Sequence, residues 1–194
     1  MKTSAKIFVM AVIGLISSSA SARGFYVSID PGFMKYGNTG LLTAAGTEFK
    51  TRPLVLSFGG GYNFNPYLGI ETEYSLAGKL TRTTYGAVNS TETLKSSALQ
   101  VTAVGAAPFF NEQFSVIGKL GLARTRIEYS YSSAGVTAAS SGSRTNLVYG
   151  FGGRYTLNKQ WGVRVMYMDY GKTQVGTAGS VGMEVISVSG LYSF

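Results

Sequence analysis

The chain has 194 residues, 26 of them glycine, with 17 Lys and Arg against 9 Asp and Glu for a net charge of +8. It contains no cysteine and no histidine, which excludes disulfides, thiolate chemistry, Ser/His/Asp hydrolysis and metal sites built on Cys or His. The basic residues are scattered rather than clustered, so the surplus points to anionic lipid headgroups and away from nucleic acid.

The first residues read as an export signal. Lys2 and Lys6 precede an apolar run from Ile7 to Ile16, and SSSASA follows before Arg23. A basic start, a short apolar centre and small residues at Ala20 and Ala22 predict cleavage between Ala22 and Arg23. The run is shorter than the ~20 residues a membrane-spanning helix needs. No cysteine follows the cleavage point, so no lipid anchor is expected. Residues 23–194 then form one mature domain, of net charge +6 once Lys2 and Lys6 have left.

No later stretch is apolar for 18 residues, which excludes a helical membrane protein, and Gly and β-branched residues interrupt every candidate helix. A period of two fits instead. Leu54, Leu56, Phe58, Tyr62 and Phe64 alternate with Val55, Ser57, Gly59, Gly61 and Asn63. Leu147, Tyr149, Phe151 and Tyr155 alternate with Val148, Gly150, Gly152 and Arg154. Trp161, Val163, Val165 and Tyr167 alternate with Gly162, Arg164, Met166 and Met168. Apolar residues set against small or charged ones are the pattern of a transmembrane β-barrel strand. Short turns at Asn65-Pro66, Asn111-Glu112 and Asn158-Lys159 alternate with longer polar stretches near 38–50, 81–95, 130–143 and 172–182. The fold expected is all-β: an eight-stranded antiparallel up-and-down transmembrane barrel. Its strands fall near 24–37, 51–64, 67–80, 95–110, 113–129, 144–157, 160–171 and 183–194. Short turns would lie on the periplasmic side and long loops outside. Pro31 cannot donate to a ladder and marks a possible bulge that would displace Asp30.

On this parity Phe25, Tyr62, Phe64, Phe109, Phe114, Tyr155, Trp161, Tyr192 and Phe194 all point outward beside a short turn or a terminus. That places an aromatic girdle at the periplasmic rim, with Tyr74, Tyr149 and Tyr167 farther up.

The stretch GFGGRYTLNKQWGVRVMYMDYGK, residues 150–172, resembles a hairpin region of OmpA-like eight-stranded outer-membrane barrels. The final strand, ending in Tyr192 and Phe194, resembles their C-terminal insertion signal. The resemblance implies the outer membrane of a Gram-negative bacterium and recognition of Phe194 by the barrel-assembly machinery. Outer-membrane lipid and lipopolysaccharide would surround the mature domain. The chain stops with the barrel, so the cell-wall tethering of larger relatives is not expected.

Gly59-Gly60-Gly61 and Gly171-Lys172-Thr173 imitate pieces of phosphate loops but lack the required spacing. No cofactor and no enzymatic activity are expected. One constellation of charge remains. Asp30, Glu71 and Glu73 share the inward faces with Lys119, Arg154 and Arg164. In a bore barely wide enough for side chains, three acids and three bases are expected to pair across the lumen. The loops offer Tyr85, Tyr129 and Tyr131 as contact residues. Two functional classes follow. One is a surface protein that displays its loops to a host or surface ligand, for adhesion, host interaction or envelope integrity. The other is a narrow passive pore for ions or very small solutes.

Overall fold

The computed structural model describes residues 24–37, 53–84, 90–109, 113–133, 136–174 and 180–194. Ala22, Arg23 and Tyr85 lie outside them. Nine strands follow in chain order: β1 (Phe25–Gly37), β2 (Leu54–Asn63), β3 (Leu68–Ala77), β4 (Leu80–Thr84), β5 (Ser90–Phe109), β6 (Phe114–Ser133), β7 (Val136–Thr156), β8 (Trp161–Gln174) and β9 (Ser180–Ser193). Consecutive strands pair antiparallel except β3 and β4, which both pair with β5; β1 pairs with β9, and the β3–β5 ladder closes the ring.

The barrel nonetheless has eight staves. β3 pairs with β5 from Leu68↔Gly105 to Leu76↔Ser97, and β4 continues along β5 from Leu80↔Leu94 with the register displaced by one residue. β3 and β4 are therefore one stave interrupted at Gly78-Lys79. A second irregularity lies in β8 between Asp169 and Lys172. Gly171 there takes φ +68°, and its N–H donates to Asp169 Oδ1 at 2.7 Å. Only glycine adopts that conformation without strain, so the bulge sits where the sequence permits it. Pro31 causes none. β1 keeps one register with β2 from Phe25↔Tyr62 to Phe33↔Leu54, and Asp30 stays inside.

The two described short turns share one chemistry. Asn65 Oδ1 accepts the N–H groups of Tyr67 and Leu68, both at 2.8 Å. Asn158 Oδ1 accepts those of Gln160 and Trp161, at 2.9 and 2.8 Å. Each asparagine side chain thus mimics a backbone turn.

The longer connections differ from the expectation. The β6–β7 ladder runs unbroken from Phe114↔Tyr155 to Ser133↔Val136, so most of 130–143 is strand. β5 follows β6 over the same height, from Phe109↔Phe114 to Ser90↔Ser133. β7 meets β8 only from Tyr149↔Asp169 to Thr156↔Gly162. The upper parts of β5, β6 and β7 therefore stand above the closed barrel as a ribbon, edged by β4.

The outer face carries an apolar band. On β6, Phe114, Val116, Leu120 and Leu122 face out, followed by Arg124, Arg126 and Glu128. On β1 the row is Phe25, Val27, Ile29, Pro31 and Phe33, then Lys35. On β9 it is Phe194, Tyr192, Val188 and Ile186, then Glu184. So large a contiguous exposed apolar surface fits lipid and not water. Its lower rim is the aromatic girdle. Ring centroids lie 4.7 Å apart in Phe25–Tyr62, 5.4 Å in Tyr62–Phe64, 5.2 Å in Phe114–Tyr155, 5.0 Å in Trp161–Tyr192 and 5.1 Å in Tyr192–Phe194. Phe109 is exposed at the same rim, in register with Phe114. The Phe194 N–H donates to the Phe25 carbonyl at 3.1 Å, carrying the seam to the last residue.

Val188 lies near the middle of this band. Val188→Arg is expected to cost about 2–4 kcal/mol in denaturant unfolding from lipid vesicles, whereas Ser132→Arg, on the ribbon above the band, should change stability little. Equal costs would place the lipid boundary elsewhere.

Candidate functional site

The barrel interior holds three layers. The middle one is polar. Asp30 comes from β1, Glu71 and Glu73 from β3, Lys119 from β6 and Arg164 from β8. All five are almost fully buried. Glycines on β2 make the room: a Cβ at Gly59 would lie 2.7 Å from Ser28 Oγ, and one at Gly61 would overlap the Tyr26 phenol.

Glu71 is the hub. Arg164 Nη1 donates to its Oε2 at 2.7 Å and Nη2 to its Oε1 at 3.3 Å. Lys119 Nζ donates to Oε1, and the Tyr26 hydroxyl donates to Oε2 at 2.6 Å. Arg164 Nη2 also reaches Asp30 Oδ1 at 3.2 Å, and Lys119 reaches Glu73 Oε2 at 3.4 Å. Serines complete the shell. Ser28 donates to Asp30 Oδ2 at 2.7 Å, Ser189 donates to Asp30 Oδ1, and Ser75 donates to Glu73 Oε1 at 3.4 Å. Each buried charge thus meets an opposite charge, the condition under which buried ions are tolerated.

Arg154 does not join them. It faces inward from β7, half-buried, as the direct cross-strand partner of Arg164. It makes no ion pair or hydrogen bond among the described residues, and its Nε is buried without a partner. The expectation of three bases paired with three acids therefore reduces to two bases. The reason is strand tilt. Parity fixes the face on which a residue lies, whereas the stagger of tilted strands fixes its height, and Arg154 sits lower, toward the short turns.

Above the network the lumen is mostly apolar, with Ser96, Thr125 and Thr173 among its few buried polar side chains. Met34, Val55, Leu94, Ile127, Val148, Met166, Met168, Tyr170, Met183 and Val185 are buried in one cluster. Each lies on the ribbon side of the charged residue on its own stave or its neighbour's. The Tyr170 hydroxyl touches Ser75 at 3.4 Å, joining the two layers. Met166 and Met168 stand at inward positions of β8 in the alternation, which by itself assigns them no role.

Tyr129 and Tyr131, expected in a loop, are on β6. Tyr129 sits on the inward face of the ribbon and donates to Glu92 Oε1 at 3.3 Å. Burial first, and then the Glu92 carboxylate, pushes its hydroxyl up to about 12. On the outward face, Lys95, Arg126, Glu128, Ser130 and Ser141 line a groove of about 350 Å³. No group of three or more acidic residues capable of holding a metal occurs among the described residues.

Arg164→Ala would leave Asp30 and part of Glu71 uncompensated, and should cost about 3–5 kcal/mol of unfolding free energy. Arg154→Ala strands no carboxylate and should cost far less. Comparable losses in the two variants, measured by denaturant titration in one detergent, would contradict the assignment of Arg164 as the bridging cation.

A family model described as the outer membrane protein beta-barrel domain matches residues 8–194. No curated protein matches the chain. Among solved structures, the attachment invasion locus protein Ail of Yersinia pestis, in complex with the heparin analogue sucrose octasulfate, is 17% identical. The match covers 87% of this chain and 98% of that one, with a TM-score of 0.58. Neisserial surface protein A (NspA) is also 17% identical, covering 88% and 97% with a TM-score of 0.58. At that identity the likeness is one of fold.

Proposed function

The chain belongs to the outer membrane protein beta-barrel domain family, and we propose that it is a closed membrane anchor that displays its ribbon at the cell surface for adhesion or host interaction. The observation that carries this reading is the filled lumen. A charge-paired layer lies under an apolar layer of methionines and Tyr170, which speaks against the alternative of a narrow passive pore. With the interior committed to packing, recognition is left to the exterior.

Among the described residues, the ribbon is the largest element beyond the closed barrel. Its outward face carries Lys95, Arg124 and Arg126 just above the apolar band, where Glu128 pairs with Arg126 at 3.0 Å and lies across the ladder from Lys95. These cations suit the phosphates of lipopolysaccharide in the outer leaflet or an anionic polymer on a host surface. The heparin analogue in the Ail complex is a polyanion of that kind. Residues 1–22 serve, in this reading, as the cleaved export signal, and the strand ending in Phe194 is presented to the barrel-assembly machinery. No reaction is assigned, because the inward carboxylates are held by cations and the chain has no histidine base.

Replacing residues 130–139 by a two-residue Asn-Gly turn shortens the ribbon without touching the closed barrel. Cells displaying the shortened protein should assemble it normally but lose the adherence to epithelial monolayers that the full-length protein confers. In planar bilayers the intact barrel should give little or no conductance. A large, steady conductance together with adherence unchanged by the shortening would replace display with transport.

A further inference from the structure

Beneath the charge network, at the end of the barrel that carries the short turns, lies a cavity of about 60 Å³. By the measure in which one water needs some 10–15 Å³, it has room for roughly four to six waters. Arg154, Arg164, Lys159, Asn63, Gln160 and Ser193 are among its walls, and no carboxylate lines it among the described residues.

Its electrostatics are out of balance. Arg154 and Arg164 are direct partners across the β7–β8 ladder. Like charges so placed repel unless each is neutralised. Arg164 is neutralised, since both of its terminal nitrogens are spent on Glu71 and Asp30. Tyr26, which separates the cavity from Glu71, uses its hydroxyl proton on that carboxylate. Glu71 is therefore already occupied by three donors. Arg154 has no such partner among the described residues, and its buried Nε has no acceptor. Lys159, in the turn below, makes no ion pair among them either. Two cations and a set of amide and hydroxyl donors thus converge on a small space at the short-turn end of the barrel.

From this we infer that the periplasmic mouth of the barrel is a binding site for a small oxyanion, phosphate or carboxylate, held chiefly by Arg154 and secondarily by Lys159. A guanidinium presents a planar fork of donors that matches two oxygens of such a group, and charge-assisted bonds of this type are the strong ones. The amides of Asn63 and Gln160 and the Ser193 hydroxyl supply further donors around the same space. Bound there, the anion would compensate Arg154 and remove the repulsion across the β7–β8 ladder. The assignment is independent of the ribbon and stands whether or not the surface is adhesive.

The test is a backbone amide NMR titration of the refolded barrel in zwitterionic detergent. Sodium phosphate, sodium acetate and sodium chloride are compared at constant ionic strength and pH. Saturable shifts are expected for Gln160, Gly162 and Ser193 with phosphate or with acetate, and not with chloride. Saturation by one alone identifies which oxyanion fits. In Arg154→Gln the apparent affinity should fall on the order of tenfold or more, the worth of one charged hydrogen bond. In Lys159→Gln, a change in an exposed turn that leaves the barrel intact, it should fall by a smaller factor. Arg154→Lys should bind in between. The absence of saturation by both oxyanions in the unaltered protein, equal saturation by chloride, or unchanged affinity in both glutamine variants would each overturn the proposal.

Discussion

An eight-stranded ring leaves its interior almost no space, and that constraint organises everything else in this molecule. Whatever faces inward must be packed or paired. Glu71 shows the pairing solution, taking Arg164, Lys119 and Tyr26 at once. The methionines of β1, β8 and β9 show the packing solution, since flexible unbranched side chains fill an irregular bore. Glycine supplies the space that both need, at Gly59 and Gly61 of β2 beside Glu73 and Tyr26 and at Gly150 and Gly152 of β7 beside Met168 and Met166.

The order of the layers matters as much as their content. Charges sit toward the short turns and the apolar cluster toward the ribbon. An ion entering from the ribbon side would have to cross the methionines before reaching the charged layer of Asp30, Glu71, Glu73, Lys119 and Arg164. The buried network is therefore better read as the polar floor of a sealed barrel than as the constriction of a channel. A buried ion pair adds little net stability, but losing one partner is costly, so the network fixes which staves face each other.

Much of this was legible because lipid imposes a strict alternation. The rows ending in Phe64, Tyr155 and Trp161 gave strand, face and girdle together, and Asn65 and Asn158 announced their turns. The alternation fails as a guide where lipid ends. Past Leu122 on β6 the outward residues are Arg124, Arg126 and Glu128 while Ile127 faces in, so apolar and polar exchange faces. Polar residues with Ser, Thr and Gly then read as loop although they are fully paired strand. The interior failed differently. Arg154 and Arg164 have the same parity and chemistry, and nothing in a linear sequence distinguishes the one that reaches Glu71. Stagger around a tilted ring decides it, and stagger depends on all eight registers. The interruption of the third stave at Gly78-Lys79 left no signal beyond a glycine, one of 26.

The central claim is that the lumen is sealed above the network, and accessibility of a side chain just inside the seal tests it most directly. The chain has no cysteine, so a single one at Ser75, which touches both Glu73 and Tyr170, reports without background. In proteoliposomes, a small charged thiol reagent added from the ribbon side should fail to label Ser75→Cys while labelling Ser132→Cys readily. Labelling of Ser75→Cys at a rate near that of Ser132→Cys would mean that the lumen is open to water, and the sealed-anchor account would be wrong.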